Sequence, residues 1–168
     1  AINAMSNQLS KVFKQITSQA ERYRLHAYSD TLTAAGNRRA FELAFDRVLT
    51  DAENQSHGFL MLIRLDSLAH VNSEYGFEQG DAYIKSVAES VKSQLIIGSF
   101  DAELYRLNGA DFAVLLDECD ESQCIELMTA LVAGFTTTEK SEYAFGTAHV
   151  GSAEYVFGDT RSSVIEEA

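Results

Sequence analysis

Arg64, Asp66, Asn72, Asp81 and the stretch Arg106-Leu107-Asn108-Gly109-Ala110-Asp111-Phe112 hold the side chains of this chain best suited to chemistry. A side-chain amide both donates and accepts hydrogen bonds, and a carboxylate accepts them, so either can hold a polar ligand. Carboxylates in a pair can hold Mg²⁺, which demands hard oxygen ligands in near-octahedral geometry. An arginine offers a planar cation that fits phosphate or carboxylate. In the stretch 106–112 the polar residues fall at a tip. Leu104 to Leu107 and Phe112 to Leu116 are apolar runs of strand length. Asn108-Gly109 between them signals a hairpin, since both residues tolerate positive φ. The expected element is a hairpin from Glu103 to Asp117 with a two-residue Asn-Gly turn.

Other blocks stand upstream of this hairpin. Asp30-Thr31-Leu32-Thr33-Ala34-Ala35-Gly36-Asn37-Arg38-Arg39 comes first. The apolar run Phe59 to Leu65 then leads into Asp66, and Val71-Asn72-Ser73-Glu74-Tyr75-Gly76-Phe77-Glu78-Gln79-Gly80-Asp81 follows. In order and spacing, from Tyr28 to Glu167, the chain resembles the GGDEF family of diguanylate cyclases. The family patterns are D-x-L-T-G-L-x-N-R-R, then D-x-D-x-F-K-x-I-N-D-x-x-G-H-x-x-G-D, then R-x-G-G-[DE]-E-F.

The resemblance implies a site that condenses two GTP molecules to cyclic di-GMP. It places Mg²⁺ on the first Asp of D-x-D and on the third residue of the hairpin motif. Those positions match Arg64 and Ala110. Ala supplies no ligand, and Arg supplies a cation that repels the metal. Metal neutralisation of phosphate charge is most of what a phosphoryl-transfer site offers. The expectation is a catalytically inactive site with no metal and no cofactor. Further departures are Asn108 for the first Gly, Asp111 for Glu and Ala69 for the phosphate-facing Lys. Ser99 and Ala102 stand where the family's inhibitory R-x-x-D site has its charged residues. Gly109 and Phe112 match the motif. Asn72 and Asp81 match the family's guanine-reading pair. Read as local structure alone, Asn72 turns or caps a loop and Asp81 opens a helix. Asn37-Arg38-Arg39 likewise reads as a helix start with solvated charges.

The first 29 residues are a different kind of element. Ile2, Met5, Leu9, Val12, Ile16, Gln19, Tyr23 and His26 follow a 3-4 spacing, with Gln19 and His26 as polar interruptions. A long helix with so narrow an apolar stripe calls for a partner helix, so a parallel homodimer through this helix is expected. Ala1-Ile2-Asn3-Ala4-Met5 resembles the end of a HAMP module, whose second helix runs on into such a signalling helix. The expected division is 1–29 as HAMP end and coiled-coil helix and 30–168 as a degenerate, C-terminally shortened GGDEF domain.

The chain has 168 residues, 46% of them hydrophobic, enough for one core. Its net charge of −12 argues against nonspecific nucleic-acid binding, which needs clustered Lys and Arg, and against docking on anionic lipid. Cys119 and Cys124 lack a nearby His or a second Cys pair and read as reduced thiols rather than metal ligands. No apolar run reaches membrane-spanning length, so membrane attachment is expected only through a parent protein.

Helices are expected at Arg38 to Ala52, Asp81 to Leu95 and Glu121 to Gly134, the last capped by Gly134. Strands are expected at Gly58 to Asp66, in the hairpin, and at Glu142 to Tyr155, with Thr136 to Ser141 as a polar loop. This is an α/β arrangement, a mixed sheet wrapped by helices and preceded by a long helix. The resemblance implies a nucleotide-cyclase-like five-stranded sheet. It also implies a further C-terminal helix, which is just beginning at Val164 to Ala168.

A HAMP-like end feeding such a domain is similar to LapD-type receptors, where a degenerate EAL domain binds cyclic di-GMP. That similarity implies a relay role in the cytoplasmic part of a bacterial inner-membrane protein, with an EAL output domain in the parent chain. Two alternatives stand beside it. One is a GTP-binding allosteric domain regulating an attached phosphodiesterase, with Arg64 replacing the metal as phosphate partner. The other is a weak cyclase using Asp66 and Asp111 as a displaced metal site.

Overall fold

In the computed structural model of the chain, the described residues are 2–53, 56–136 and 148–168, with side chains at 5–53, 56–135 and 148–168. Element order is α1 (Ile2–Tyr28), β1 (Gly36–Asn37), α2 (Arg38–Thr50), β2 (His57–Leu65), α3 (Leu68–Tyr75), α4 (Phe77–Ile97), β3 (Ala102–Arg106), β4 (Asp111–Asp117), α5 (Glu121–Thr136), β5 (Ala148–Val156) and α6 (Arg161–Glu167). The five strands form one sheet in the order β1-β3-β4-β2-β5. β1 runs parallel to β3, and the remaining pairings are antiparallel. The expected mixed α/β sheet wrapped by helices is the observed fold.

Period-2 alternation divides the core between the two faces of the sheet. Met61, Ile63 and Leu65 of β2 join Phe112 and Val114 of β4 beneath α3, α4 and α5. Leu60 and Leu62 join Ala113, Leu115 and Tyr155 on the opposite face, where α2 and α6 pack. α2 meets that face with Phe41, Phe45 and Leu49, one turn apart. The Phe45 ring stands edge-on to Tyr155 at 5.7 Å. A buried aromatic of this kind contributes about 3–5 kcal/mol against truncation to Ala.

Local signals fix most helix starts. Asn37 caps α2 by accepting the Ala40 N–H at 3.0 Å. Asp120 and Gln123 cap α5 reciprocally, at 2.8 and 3.0 Å. Thr160 accepts the Ser163 N–H at 3.3 Å to open α6.

Several expected boundaries shift. α2 ends at Thr50 rather than Ala52. α5 runs through Gly134 to Thr136, so Gly134 is not its cap; it faces Ser90 of α4 at a Cβ distance of 3.5 Å. The last strand is described from Ala148, and the expected residues 142–147 lie outside the described residues, as does the polar loop 137–141. α3 was not expected at all. It occupies the stretch read as a loop, and α4 begins at Phe77, so Asp81 lies inside a helix rather than at its start. The break is at Gly76, whose φ of +86° separates the two helices.

Candidate functional site

The hairpin tip is built differently from its sequence signal. Neither Asn108 nor Gly109 has a positive φ. The Leu107 N–H donates to the Asp111 carbonyl at 2.8 Å, leaving three residues at the tip. The Asn108 side-chain oxygen accepts from the N–H groups of Ala110 and Asp111, both at 3.0 Å. This side-chain turn does the work expected of positive φ at an Asn-Gly pair. A Cβ on Gly109 would meet nothing within 4 Å, so the fold itself does not require glycine there.

Arg106 anchors the tip from below. Its Nε donates to the Asn108 carbonyl at 3.0 Å and one terminal nitrogen to the Gly109 carbonyl at 3.2 Å. The other terminal nitrogen reaches both Asp30 oxygens at 3.2 Å. Asp30 also accepts the Thr33 N–H and hydroxyl at 2.9 and 2.8 Å. Burial pushes the Asp30 pKa up, but the Thr33 bonds and Arg106 outweigh it, and the carboxyl is held below its ordinary value. The turn after α1, the hairpin and β3 are thus one connected unit. Sequence reasoning treated Asp30 and Arg106 as motif letters and missed their contact, which joins residues 76 apart in sequence.

Arg64 stands directly opposite Asp111 on β4 and opposite His149 on β5. Its guanidinium forks onto Asp111, Nε to Oδ1 at 2.7 Å and a terminal nitrogen to Oδ2 at 3.1 Å. Asn108 adds a third donor to Asp111 at 2.6 Å. The Arg64 hydrogen bond, helped by Asn108 and the Arg64 charge, holds the Asp111 carboxyl below its ordinary value against the effect of burial. His149 pairs with Asp66. Arg64 and Asp111 are thus matched across the β2–β4 pair. Sequence reasoning did not single out His149; its only signal is register, which the sequence alone does not give. Ala110 packs toward the α3–α5 side of the core, and its carbonyl accepts the Leu65 N–H at 2.9 Å.

Asn72 and Asp81 sit apart from that row. Asn72 lies in α3, which packs on the other face of the sheet. Its side-chain oxygen lies so close to Gly80 that a Cβ there would fall 1.8 Å away. Glycine at position 80 thus lets α4 approach Asn72; Asp81 is the next residue along α4. Asp81 is exposed. The structure sets Asn72 of α3 against Gly80 of α4, and groups Arg64 with Asn108 and Asp111. Asn37 is the α2 cap, Arg38 pairs with Glu42 at 3.2 Å, and Arg39 lies over the Tyr28 ring at 5.2 Å, so all three serve the start of α2. Ser99 sits in a left-handed turn at φ +53°, and Ala102 opens β3. Among the described residues no three His, Cys, Asp or Glu side chains converge as metal ligands, and both cysteines are buried.

The family model described as the diguanylate cyclase GGDEF domain matches residues 27–168. The chain belongs to the GGDEF domain family. Among curated relatives, the biofilm architecture maintenance protein MbaA of Vibrio cholerae is 30% identical over 121 residues, covering 68% of this chain and 15% of MbaA. The probable diguanylate cyclase DgcE of Escherichia coli is 32% identical over 127 residues, covering 73% of this chain and 11% of DgcE. The chain thus spans a small part of these relatives. Two solved structures share its fold. One is the coiled coil and GGDEF domain of DgcB from Caulobacter crescentus in complex with c-di-GMP, at TM-score 0.80 and 22% identity, over 98% of this chain and 88% of that one. The other is the S helix-GGDEF-EAL portion of Vibrio cholerae LapD bound to c-di-GMP, at TM-score 0.76 and 17% identity, over 91% of this chain and 35% of that one. Among the described residues of this GGDEF domain, no helix is long and apolar enough to cross a membrane.

Proposed function

We propose that this GGDEF domain is catalytically inactive and works as a relay in a cyclic di-GMP signalling receptor. In this reading residues 1–29 are the end of a HAMP module and its signalling helix. That helix pairs with a second copy and passes conformational change through residues 30–168 to an output domain of EAL type. The parent protein is anchored in a bacterial inner membrane.

The observation that carries the reading is the Arg64 fork on Asp111. Family catalysis calls for carboxylates at positions 64 and 110, and this chain has Arg and Ala there. Mg²⁺ does not fit this donor set: one position offers a cation, one offers a methyl group, and the adjacent Asp111 and Asp66 carboxylates are engaged by Arg64 and His149. The same pairing weighs against a weak cyclase built on Asp66 and Asp111. Support for the relay comes from the bonds that tie the turn after α1 to the hairpin through Asp30 and Arg106. The likeness to LapD supports the receptor setting by fold alone.

Incubation of the purified protein with GTP and Mg²⁺, followed by chromatography, is expected to yield no cyclic di-GMP. Product formation that is lost in Asp111→Ala would overturn the reading. One observation favours a second role, as a GTP-binding allosteric domain regulating an attached phosphodiesterase: Asn72 lies against Gly80, the residue before Asp81. Calorimetric titration with GTP tests it. Micromolar binding lost in Asn72→Ala supports the second role, and no heat at millimolar GTP removes it.

A further inference from the structure

Three sulfur atoms gather at the start of α5. Asp120 and Gln123 form the reciprocal cap of this helix. Such a cap lets the residue before it pack against the fourth residue of the helix. Those residues are Cys119 and Cys124, the two cysteines of the chain. Burial, and after it the charge of Cys124, push the Cys119 thiol up to about 11, so each thiol lies within electrostatic reach of the other. Met128 stands one turn beyond Cys124, on the same face of α5. The Ser152 hydroxyl of β5 donates to the Met128 sulfur at 3.2 Å. Burial raises the Cys124 thiol pKa, and a hydrogen bond with that same hydroxyl works against the rise. One hydroxyl thus touches two of the three sulfurs. Cys119 and Cys124 are buried, and Met128 is half-buried against the same core.

We propose that Cys119, Cys124 and Met128 form a binding site for a soft monovalent cation, Cu(I). Thiolate and thioether sulfurs are the donors that select this ion. Zn²⁺ in a closed site calls for four ligands drawn from Cys, His and carboxylate. Among the described residues no three His, Cys, Asp or Glu side chains converge, so Zn²⁺ finds no such set. Mg²⁺ calls for oxygen ligands and is not served by sulfur. In binding, Cu(I) takes the place of the two thiol protons, which pass to solvent; no electron moves. Met128 is the donor that a search for His or a second Cys pair passes over.

Two further observations set this group apart from cysteines and methionines that only fill a core. The first is a way in. Cys119 lines a cleft of about 210 Å³ together with Asp101, Asp117, Glu118 and Gln123. The three carboxylates are exposed and Cys119 is 4% exposed, so a cation is drawn past oxygen toward sulfur. The second is Ser152, which holds Met128 and Cys124 from another element, as the outer partners of metal ligands do. The group also stands apart from the Arg64–Asp111 row, since Asp111 opens β4 and Cys119 follows its far end. Cu(I) held there ties the turn after β4 to α5 and, through Ser152, to β5.

The test titrates the whole chain, reduced and free of oxygen, with Cu(I) against the chromophoric chelator bathocuproine disulfonate. The chain is expected to withdraw one Cu(I). X-ray absorption at the copper edge is expected to show sulfur alone around the ion. Ser152→Ala is expected to weaken binding about tenfold. Met128→Leu, which conserves volume and so keeps the fold, is expected to weaken it further. Cys124→Ala is expected to abolish it. No Cu(I) withdrawn from the chelator overturns the proposal. Nitrogen or oxygen around the copper overturns it as well. Equal affinity in Met128→Leu removes the three-sulfur site, and this variant decides the matter if circular dichroism shows Cys124→Ala to be unfolded. Zn²⁺ in excess is expected not to displace the ion, and displacement overturns the assignment to a soft monovalent cation.

Discussion

Two arginine–carboxylate pairs bracket the hairpin, alike in charge and unlike in geometry and setting: Arg106 meets Asp30 through one nitrogen and Arg64 meets Asp111 through two. Arg106 and Asp30 have side chains 14% and 21% exposed, and Arg106 also holds two carbonyls of the tip. Arg64 is 69% exposed and meets Asp111 near the mouth of the site. In the first pair the desolvation of both charges has already been incurred, so removal of one partner strands the other. In the second only the guanidinium stands in water; Asp111 is 20% exposed, so screening acts from the Arg64 side, and Asn108 still holds the carboxylate when Arg64 is removed. The first pair belongs to the fold, and the second stands where the proposal above puts a lost metal site.

Arg106→Ala is the severest test of this contrast. It strands Asp30 and frees the Asn108 and Gly109 carbonyls, and is expected to cost about 2–4 kcal/mol in urea unfolding. A loss near zero would mean that the buried pair is not structural. Asp30→Asn keeps a hydrogen-bonding group of similar shape and is expected to cost less, about 1–2 kcal/mol by the same measurement.

Acid titration separates the two carboxylates. Both Asp30 and Asp111 are held below the ordinary carboxylate value of 3.8 in the folded protein. The unfolded chain therefore binds more protons than the native one in that range, and each group's contribution is full above 3.8 and is lost as the pH falls through its folded value. The urea midpoint is expected to be level from neutral pH down to the carboxylate range and to drop below it. Asp30→Asn should flatten that drop more than Asp111→Asn does. The reverse order would show that the exposed fork carries the acid sensitivity.

Arg64→Ala is expected to shift the urea midpoint far less than Arg106→Ala. The smallest signal is expected from Arg64→Asp with Ala110→Glu. That pair of changes puts carboxylates at both positions that the proposal above treats as lost metal ligands, and weak Mg²⁺-dependent shifts in NMR spectra of residues around 64–66 and 110–111 are the expected readout. Their absence would mean that more than these two positions separates the site from a metal centre.

The elements with strong periodicity were legible from sequence. β2, whose buried run spans the sheet, and α1 and α2, whose apolar spacing is helical, fall within two residues of expectation. The break between α3 and α4 was not legible, because Asn72-Ser73-Glu74-Tyr75 carries turn-forming residues that tertiary packing of Val71 nevertheless holds in a helix. The candidate site was legible as residue types at motif spacing. Its pairings were not. That Arg64 faces Asp111 and His149 is a matter of strand register, and the hairpin register of Asn108 to Asp111 depends on a side-chain turn rather than on the Asn-Gly dipeptide.

Sequence alone determined which chemical groups this chain has for its site: a guanidinium at 64, a methyl group at 110 and carboxylates at 66, 81 and 111. It also determined that α1 would carry a narrow apolar stripe; that the stripe stays exposed from Met5 to Tyr23 was decided by the fold. Only the tertiary structure decided which charges neutralise one another, that Asn72 lies against Gly80, and that the turn after α1 grips the hairpin. The reason is range. Helix periodicity and caps act over a few residues, where chain connectivity dictates neighbours, whereas an ion pair across 47 or 76 residues exists only once the sheet register has been set by the packing of its two apolar faces.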